Sequence, residues 1–235
     1  MRYIASVSFG KDSLAMLFRL IDEKKPLDEV IFYDTGMEFQ AIYNIRDKVK
    51  SLLLEKGIKY TELKPNYDFE YKMFEKPVKE RKPPHNIHYG YSWCGGRCRW
   101  GTSDKLQAID KYCNDSIVYV GIAVDEPERL KKERKPNKVF PLADWKMTEK
   151  DCLEYCYKKG WNWDENGIEL YTILDRVSCY CCANKNLKEL KNYYLYLPCY
   201  WEKLKILQSK TKRPFKNNKY TIFDLEKKFK ENKNG

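Results

Sequence analysis

The sequence lacks the long apolar runs and the cysteine pattern that are typical of membrane and secreted proteins. Within its 235 residues, no segment reaches the ~20 consecutive apolar residues that a membrane-spanning helix requires. The first apolar stretch, residues 3–7, is too short for a secretory signal, and nine cysteines, an odd number, do not suit a closed set of disulfides. We therefore expect a cytoplasmic protein without membrane association, in which clustered cysteines bind metal or do chemistry.

Two common nucleotide-binding signatures are also missing. The chain contains neither Gly-x-x-x-x-Gly-Lys-Ser/Thr nor a Gly-x-Gly-x-x-Gly segment after a strand. Their absence disfavours a P-loop NTPase and a dinucleotide-binding Rossmann domain.

The composition is that of a globular protein with an excess of positive charge. Hydrophobic residues make up 43% and aromatic residues 15% of the chain, and the net charge is +11. A cationic excess suits an anionic partner such as a nucleotide, a sulfated metabolite or a nucleic acid. Coding bias toward Lys, Asn, Ile and Tyr would raise the charge without any selected surface, so both interpretations stay open.

Short apolar runs alternate with amphipathic segments along the first 145 residues. This pattern predicts an α/β fold with a doubly wound, mostly parallel sheet of five strands, joined by right-handed crossovers. The predicted strands are residues 3–7, 29–33, 58–63, 116–122 and 139–142. Helices are predicted over residues 12–24 and 42–53 between the first strands.

Outside this core we predict an insertion and a C-terminal lobe. Residues 64–102 form a long irregular stretch that is rich in Pro, Tyr, Lys and Arg and contains both histidines, His85 and His88. A connection of that length inside a domain is usually functional or mobile. We therefore predict a nucleotide-binding core over residues 1–145, carrying this insertion, and a helical lobe over 146–235 that packs on the core and is not independent. The lobe opens with a capping box at 148–151.

The segment Ser8-Phe9-Gly10-Lys11-Asp12-Ser13 lies where the first strand gives way to the first helix. Gly10 would let the backbone approach a phosphate, and the unpaired amides of the helix N-terminus would point at it. The Ser8 and Ser13 hydroxyls add donors, and Lys11 adds charge. Asp12 would cap the helix or bind a Mg²⁺ ion that accompanies the phosphates. An ordinary strand-to-helix turn is the alternative interpretation.

The cysteines form two groups in turns. Cys94 and Cys98 flank Gly-Gly-Arg, and Cys179, Cys181 and Cys182 follow one another closely. Turns of this kind let several sulfurs converge on one zinc ion or on an iron–sulfur cluster. The preferred ligands are Cys94, Cys98, Cys179 and Cys182, with Cys181 as a substitute. Five buried or reactive thiols without an ion are the alternative.

The other cysteines are predicted to belong to the core. Cys152 and Cys156 lie four residues apart on a predicted helix, which is more typical of a small apolar face than of a ligand pair. Cys113 and Cys199 are interpreted in the same way.

The segment at 8–13 matches the Ser-x-Gly-x-Asp-Ser signature of the PP-loop superfamily. The wider chain resembles its phosphoadenosine phosphosulfate (PAPS) reductase-like family, of the adenine nucleotide alpha hydrolase-like kind, and in particular the branch encoded by phages and mobile elements. Further segments that carry the resemblance are residues 33–39, 98–102, 120–129, 141–142 and 175–182.

The resemblance implies a set of nucleotide-binding positions. Ser8, Phe9, Gly10, Lys11, Asp12 and Ser13 would hold the phosphates, and Asp34, Thr35 and Gly36 would lie beside the adenosine. Gly121 would allow a close approach, while Asp125 and Arg129 would face the reacting group. The planar fork of Arg129 suits phosphate or sulfate. A solvated, charged loop at 125–129 is the alternative.

The chain departs from PAPS reductases at their nucleophile. It has no Glu-Cys-Gly-Leu-His-Cys motif, and no cysteine follows Cys199. We therefore predict an enzyme that binds ATP, cleaves it between the α and β phosphates and adenylates a substrate. Lys11, Asp12 and Arg129 are its predicted catalytic residues, and Mg²⁺ assists them. Sulfur transfer to a nucleic acid is the predicted downstream step.

Two alternatives to adenylation stay open. The first is a sulfonucleotide reductase-like enzyme that acts on PAPS or adenosine phosphosulfate (APS) by a different thiol. The second is a non-catalytic nucleotide-sensing module. The missing thiol could come from a second copy in a homodimer or from a partner protein.

Overall fold

The alternation of apolar and amphipathic segments produces an α/β sheet in the computed structural model. The structure describes residues 1–93, 98–132, 135–216 and 218–231. Contacts divide the chain into two units, each built from separate segments. The first unit contains residues 1–34, 38–64 and 106–170, and the second contains 35–37, 65–105 and 171–235.

The first unit holds the parallel sheet and its helices. Its elements in chain order are β1 (Arg2–Ser6), α1 (Lys11–Asp22), β2 (Glu29–Tyr33), α2 (Gln40–Glu55), β3 (Lys59–Leu63), α3 (Lys105–Tyr112), β6 (Ser116–Val120), α4 (Pro127–Lys132), β7 (Lys138–Val139), α5 (Pro141–Asp144), α6 (Glu149–Lys158), β8 (Asp164–Glu165) and β9 (Ile168–Glu169).

The strand order is β3-β2-β1-β6-β7, and every pairing is parallel. All five residues of β2 are buried, as expected for a strand inside a parallel sheet with both faces covered. The chain runs outward from β1 through β2 to β3 and then continues on the other side of β1 at β6. The order therefore reverses between β1 and β6, and doubly wound sheets bind ligands at the carboxyl ends of the strands at such a point.

The second unit contains the insertion and the C-terminal helices. Its elements are π-helical turns at Tyr71–Glu75 and Arg99–Asp104, β4 (Pro77–Lys79), β5 (Ile87–Tyr89), α8 (Leu187–Tyr196), α9 (Pro198–Ser209) and α10 (Ile222–Glu231), and α7 (Leu170–Ile173) begins at the unit boundary. A run of edge-to-face ring contacts joins Trp100, Phe69, Phe74, Trp93 and Phe215. Aromatic residues of the insertion therefore build much of the core of this unit.

The structure confirms the predicted fold class and refines several elements. The predicted capping box at 148–151 is present at the start of α6, and His85 and His88 are exposed. The fifth strand was predicted too far along the chain: β7 ends at Val139, and Pro141 begins α5 because proline fits the first turn of a helix. The predicted core over 1–145 and lobe over 146–235 differ from the division by contacts, which groups residues 146–170 with the sheet.

No helix in the described ranges is both long and apolar enough to cross a membrane.

Candidate functional site

The turn between β1 and α1 is fixed by other residues of the first unit, which pack against its side chains and hydrogen-bond to its backbone. Phe9 adopts a left-handed conformation with φ of 58°, which is uncommon for a residue other than glycine. Its ring is buried against Phe32, and its carbonyl accepts a hydrogen bond from Trp163 Nε1 at 2.7 Å. Gly10 itself has an extended conformation.

Hydroxyl groups close the turn onto the first residues of α1. Ser13 Oγ accepts a hydrogen bond from Ser8 N at 3.1 Å and donates one to the Gly10 carbonyl at 3.1 Å. The N-cap of α1 is Gly10, a residue without a side chain that could cap the helix. The N-terminus of α1 therefore keeps the character of an anion-binding end.

Gly121 follows β6 and faces the same turn. A Cβ at this position would lie 2.9 Å from Ser13 Cα and 3.0 Å from Ser13 N. Glycine is therefore required for the backbone of the β6 end to lie against the start of α1. Gly121 thus allows a close approach between its own backbone and that of Ser13.

Lys11 is buried and pairs with a carboxylate that the sequence did not single out. Its Nζ lies 2.6 Å from Glu149 Oε2 and 3.4 Å from Asp12 Oδ2. Glu149 is the first residue of α6, and its backbone N–H donates to the Asp125 carboxylate at 3.1 Å. The capping box predicted where α6 begins, but no sequence signal indicated that α6 packs against α1.

Asp12 is the most perturbed carboxyl group at the turn. Burial raises its pKa to about 6, although the Lys11 ammonium acts in the opposite direction and Glu149 raises it further. Its Oδ1 atom is buried, and no hydrogen-bond donor in the described part of the chain reaches it. A buried carboxylate oxygen of this kind fits a hard cation such as Mg²⁺.

The other residues that were predicted to bind the nucleotide lie in both units. Asp34 directly follows β2 and accepts a hydrogen bond from Tyr43 at 2.8 Å. Arg129 is exposed on α4 and pairs with Glu126 at 2.6 Å. Thr35 and Gly36 are grouped with the second unit, and Gly36 has a φ of 72°.

The second unit contains a cavity of about 140 Å³ that is lined by four cysteines, Cys98, Cys179, Cys181 and Cys182. Aromatic and apolar side chains form the rest of its wall, among them Trp93 and Trp100. Cys98 Sγ accepts a hydrogen bond from Gly101 N at 3.4 Å, and a Cβ at Gly101 would lie 3.5 Å from Cys179 Sγ. The turn that follows Cys98 therefore lies directly against the 179–182 loop.

The cysteine loop is fixed by hydrogen bonds within the second unit. Cys179 Sγ lies 3.3 Å from Thr35 Oγ1, and Trp100 Nε1 donates to the Thr35 carbonyl at 3.1 Å. The buried Lys185 binds the Arg176 carbonyl at 2.9 Å, and Lys216 Nζ binds the Ala183 carbonyl at 3.1 Å. The loop is thus held by Thr35, which Trp100 of the insertion fixes in turn, and by lysine side chains of the C-terminal segment.

Three of the four predicted metal ligands, Cys98, Cys179 and Cys182, line this cavity together with the substitute Cys181. Cys94 lies outside the described residues. Within the described ranges, no group of three or more His, Cys, Asp or Glu side chains is placed to hold a metal ion. The zinc or iron–sulfur site stays a prediction.

The remaining cysteines mostly behave as core residues. Cys152 and Cys156 are fully buried on α6, and burial raises the pKa of Cys156 to about 12. Cys113 is buried, but Cys199 is exposed because it lies in the first turn of α9 on its outer side, so its assignment to the core was wrong.

Comparison with known proteins identifies the family. The model of the phosphoadenosine phosphosulfate reductase domain family matches residues 2–165. The chain belongs to this family. Membership agrees with the PP-loop signature at residues 8–13; the predicted phage branch stays a prediction.

An uncharacterised protein of Methanocaldococcus jannaschii is 25% identical to this chain over 219 residues. The match covers 85% of this chain and 40% of that relative, so the chain spans about two fifths of the relative's length. Among solved structures, a U34-tRNA thiolase from Methanococcus maripaludis with its 4Fe-4S cluster is similar, with a TM-score of 0.47 and 12% identity. That match covers 98% of this chain and 71% of the thiolase.

Proposed function

We propose that this PP-loop enzyme binds ATP at the turn between β1 and α1, cleaves it between the α and β phosphates and adenylates an acceptor. The observation that supports this most strongly is the combination of an uncapped N-terminus of α1 with the buried Lys11 ammonium and the unpartnered Asp12 oxygen. A cation, helix-terminal amides and a carboxylate that fits Mg²⁺ are what a polyphosphate needs.

In the proposed reaction an acceptor nucleophile attacks the α-phosphorus of ATP. The bond from that phosphorus to the bridging oxygen breaks, pyrophosphate leaves with the bond electrons, and the acceptor carries AMP. Lys11 neutralises charge on the leaving pyrophosphate while the amides of α1 hold it. Asp12 would hold Mg²⁺, which when bound supplies further charge neutralisation. Arg129 would exchange Glu126 for an oxygen of the reacting phosphate.

The test is calorimetric titration of Mg·ATP, APS and PAPS into the full chain, followed by an assay of pyrophosphate release. We expect a preference for Mg·ATP, and we expect Lys11→Ala to weaken its binding about 10- to 100-fold because a charge-assisted hydrogen bond is lost. Lys150→Ala, which removes an exposed lysine on α6, serves as the control.

The other outcomes separate the alternatives. Preference for PAPS or APS would replace adenylation by sulfonucleotide reduction. Tight binding of Mg·ATP without pyrophosphate release in the presence of candidate acceptors would favour a nucleotide-sensing module.

The cysteine cavity supports sulfur transfer as a downstream step. In this step a hydrosulfide ion held beside the four thiols would attack the adenylated carbon of the acceptor; the new C–S bond replaces the C–O bond, and AMP leaves with the electrons of that bond. Mass spectrometry of a nucleic-acid acceptor tests this step. A product without added sulfur, together with full activity of Cys98→Ser, would contradict it.

A further inference from the structure

A hairpin in the second unit carries the longest run of exposed residues that is both cationic and aromatic. Every residue from Lys79 to Tyr89 is exposed, including Ile87 at 65% and Tyr89 at 70%. The run contains three basic residues, Lys79, Arg81 and Lys82, and a single acidic one, Glu80. Ile87 and Tyr89 lie two residues apart on one short strand, so their exposed side chains are neighbours.

The register of the hairpin places the exposed side chains on one face. Pro77 pairs with Tyr89 and Lys79 pairs with Ile87, in antiparallel register. Residues two apart on a strand share a face, and so do directly opposed residues. Lys79 and Ile87 are therefore directly opposite each other, and Tyr89 lies on the same face two residues further along the strand.

The base of this hairpin is rigidly attached to the second unit. Gly90 N donates to the Lys76 carbonyl at 2.7 Å, and Ser92 N donates to the Met73 carbonyl at 2.6 Å. A Cβ at Gly90 would overlap the Met73 carbonyl, so only glycine permits this packing at its φ of 67°. The exposed face is thus presented by an ordered support.

Further cation–aromatic pairs lie at the same end of the insertion. Lys76 Nζ lies 4.3 Å from the centre of the half-exposed Tyr67 ring. Lys72 and the exposed Arg99 each lie 5.9 Å from the centre of the Tyr91 ring. Rings for stacking combined with cations for the backbone are the elements of a sequence-tolerant site for single strands.

We infer that the hairpin 77–89, with Tyr89 as its stacking residue, binds single-stranded nucleic acid. An acidic protein would meet the same charge, but it would not use the exposed Tyr89 ring for stacking, and the net charge of +11 favours a polyanion. This inference deepens the proposed function, on which it rests for the role of the strand as acceptor. Binding itself requires no ATP.

The experiment is fluorescence anisotropy of a labelled single-stranded oligonucleotide of about 16 nucleotides, as RNA and as DNA, titrated with the full chain at several salt concentrations. We expect Lys79→Glu/Arg81→Glu to weaken binding and to reduce the slope of log K against log salt by about 1.4, since each phosphate contact on a single strand contributes about 0.7. The control with the same change of charge is Lys48→Glu/Lys56→Glu, at exposed positions of α2 and its C-cap.

Stacking is tested at Tyr89. We expect Tyr89→Ala to weaken binding about 5- to 100-fold and Tyr89→Phe to restore it, because the ring stacks on a base without needing the hydroxyl. Tyr196→Ala removes a tyrosine that is 50% exposed on α8 and should have no effect.

Two results would overturn the inference. One is equal affinity of the hairpin variants and their controls for the oligonucleotide; the other is competition by polyglutamate as strong as by unlabelled oligonucleotide, which would assign the face to an acidic protein. Lys11→Ala distinguishes this inference from the proposed function. This variant should bind Mg·ATP more weakly and should bind the oligonucleotide as tightly as wild type does. If the protein does not bind ATP at all, oligonucleotide binding by the hairpin is still tested independently.

Discussion

At the scale of single residues, the candidate nucleotide site depends on where Lys11 directs its charge. The ammonium is buried and lies 2.6 Å from Glu149, with Asp12 further away on its own helix. A phosphate bound at the N-terminus of α1 would compete with Glu149 for this ammonium. Glu149 is therefore a positioning residue, which sets how strongly Lys11 is available to a ligand.

We expect Glu149→Gln to tighten binding of Mg·ATP about tenfold, or ~1.4 kcal/mol, because the competing charge is gone. The same variant should lower the free energy of unfolding by about 1–3 kcal/mol without ligand, since a buried ion pair is broken. Calorimetric titration and urea unfolding measure the two effects. Glu154→Gln, on the exposed side of α6, is the control. Weaker ATP binding by Glu149→Gln would instead make Glu149 part of the binding site.

At the scale of elements, one buried carboxylate on β2 links this strand to β1, β3 and α3 at the amino-terminal edge of the sheet. The Glu29 side chain, on β2, is 1% exposed and accepts hydrogen bonds from Tyr112 at 2.7 Å and from Thr61. Arg2 and Lys59 each approach it to 3.3 Å. Burial by itself would raise the pKa of Glu29, but the hydrogen bonds from Thr61, Tyr112 and Lys59 outweigh it and lower the pKa.

We expect Glu29→Gln to lower the free energy of unfolding at pH 7 by about 2–4 kcal/mol, because buried donors and cations lose their charged partner. The folded-state pKa of Glu29 lies below the ordinary value of 4.5. The stabilisation by its charge is therefore fully present above pH 4.5 and is lost as the pH falls through the folded-state pKa. The difference in free energy of unfolding between wild type and Glu29→Gln should therefore become smaller below pH 4.5. Urea unfolding over a pH series measures it, with the exposed Glu55→Gln as control. A difference that stays constant with pH would contradict this account.

The sequence predicted elements that are set locally and missed contacts that depend on packing. Residues 29–33 were predicted as a buried strand and form β2, because a continuous apolar run bounded by turns has few other structures available. The turn between β1 and α1 was predicted from its residue types alone, and phosphate binding there stays a prediction. The Lys11–Glu149 pair and the Trp163 hydrogen bond to Phe9 were not predicted, since each joins residues far apart in sequence. The Thr35 side chain lies against Cys179, a contact that the sequence did not indicate, and its predicted place beside the adenosine stays a prediction.

At the scale of the whole molecule, the two units carry different chemistry. The first holds the turn between β1 and α1 at which we propose that ATP binds, and the second holds the cysteine cavity and the exposed hairpin. The metal predicted at Cys94, Cys98, Cys179 and Cys182 would join two segments of the second unit.

We expect anaerobically purified protein to contain iron or zinc in a fixed ratio to chain, measured by elemental analysis. Cys98→Ser and Cys179→Ser should each lose most of it, because a site with fewer thiolates binds a soft metal weakly. Cys199→Ser, which removes an exposed cysteine, should keep it. If the metal content is the same in all three variants, or if wild type contains no metal, these cysteines do not bind a metal ion.

The division of the second unit among three separate segments has a consequence for synthesis on the ribosome. The sheet can be completed once β7, at Lys138–Val139, has emerged. The cavity cannot, because Cys98 must wait for residues 179–182 and for the C-terminal segment that fixes them. At translation rates of about 5–20 residues per second, the thiol of a nascent chain is left open to solvent for several seconds. An oxidant present during synthesis would therefore meet Cys98 before the walls of the cavity have formed around it.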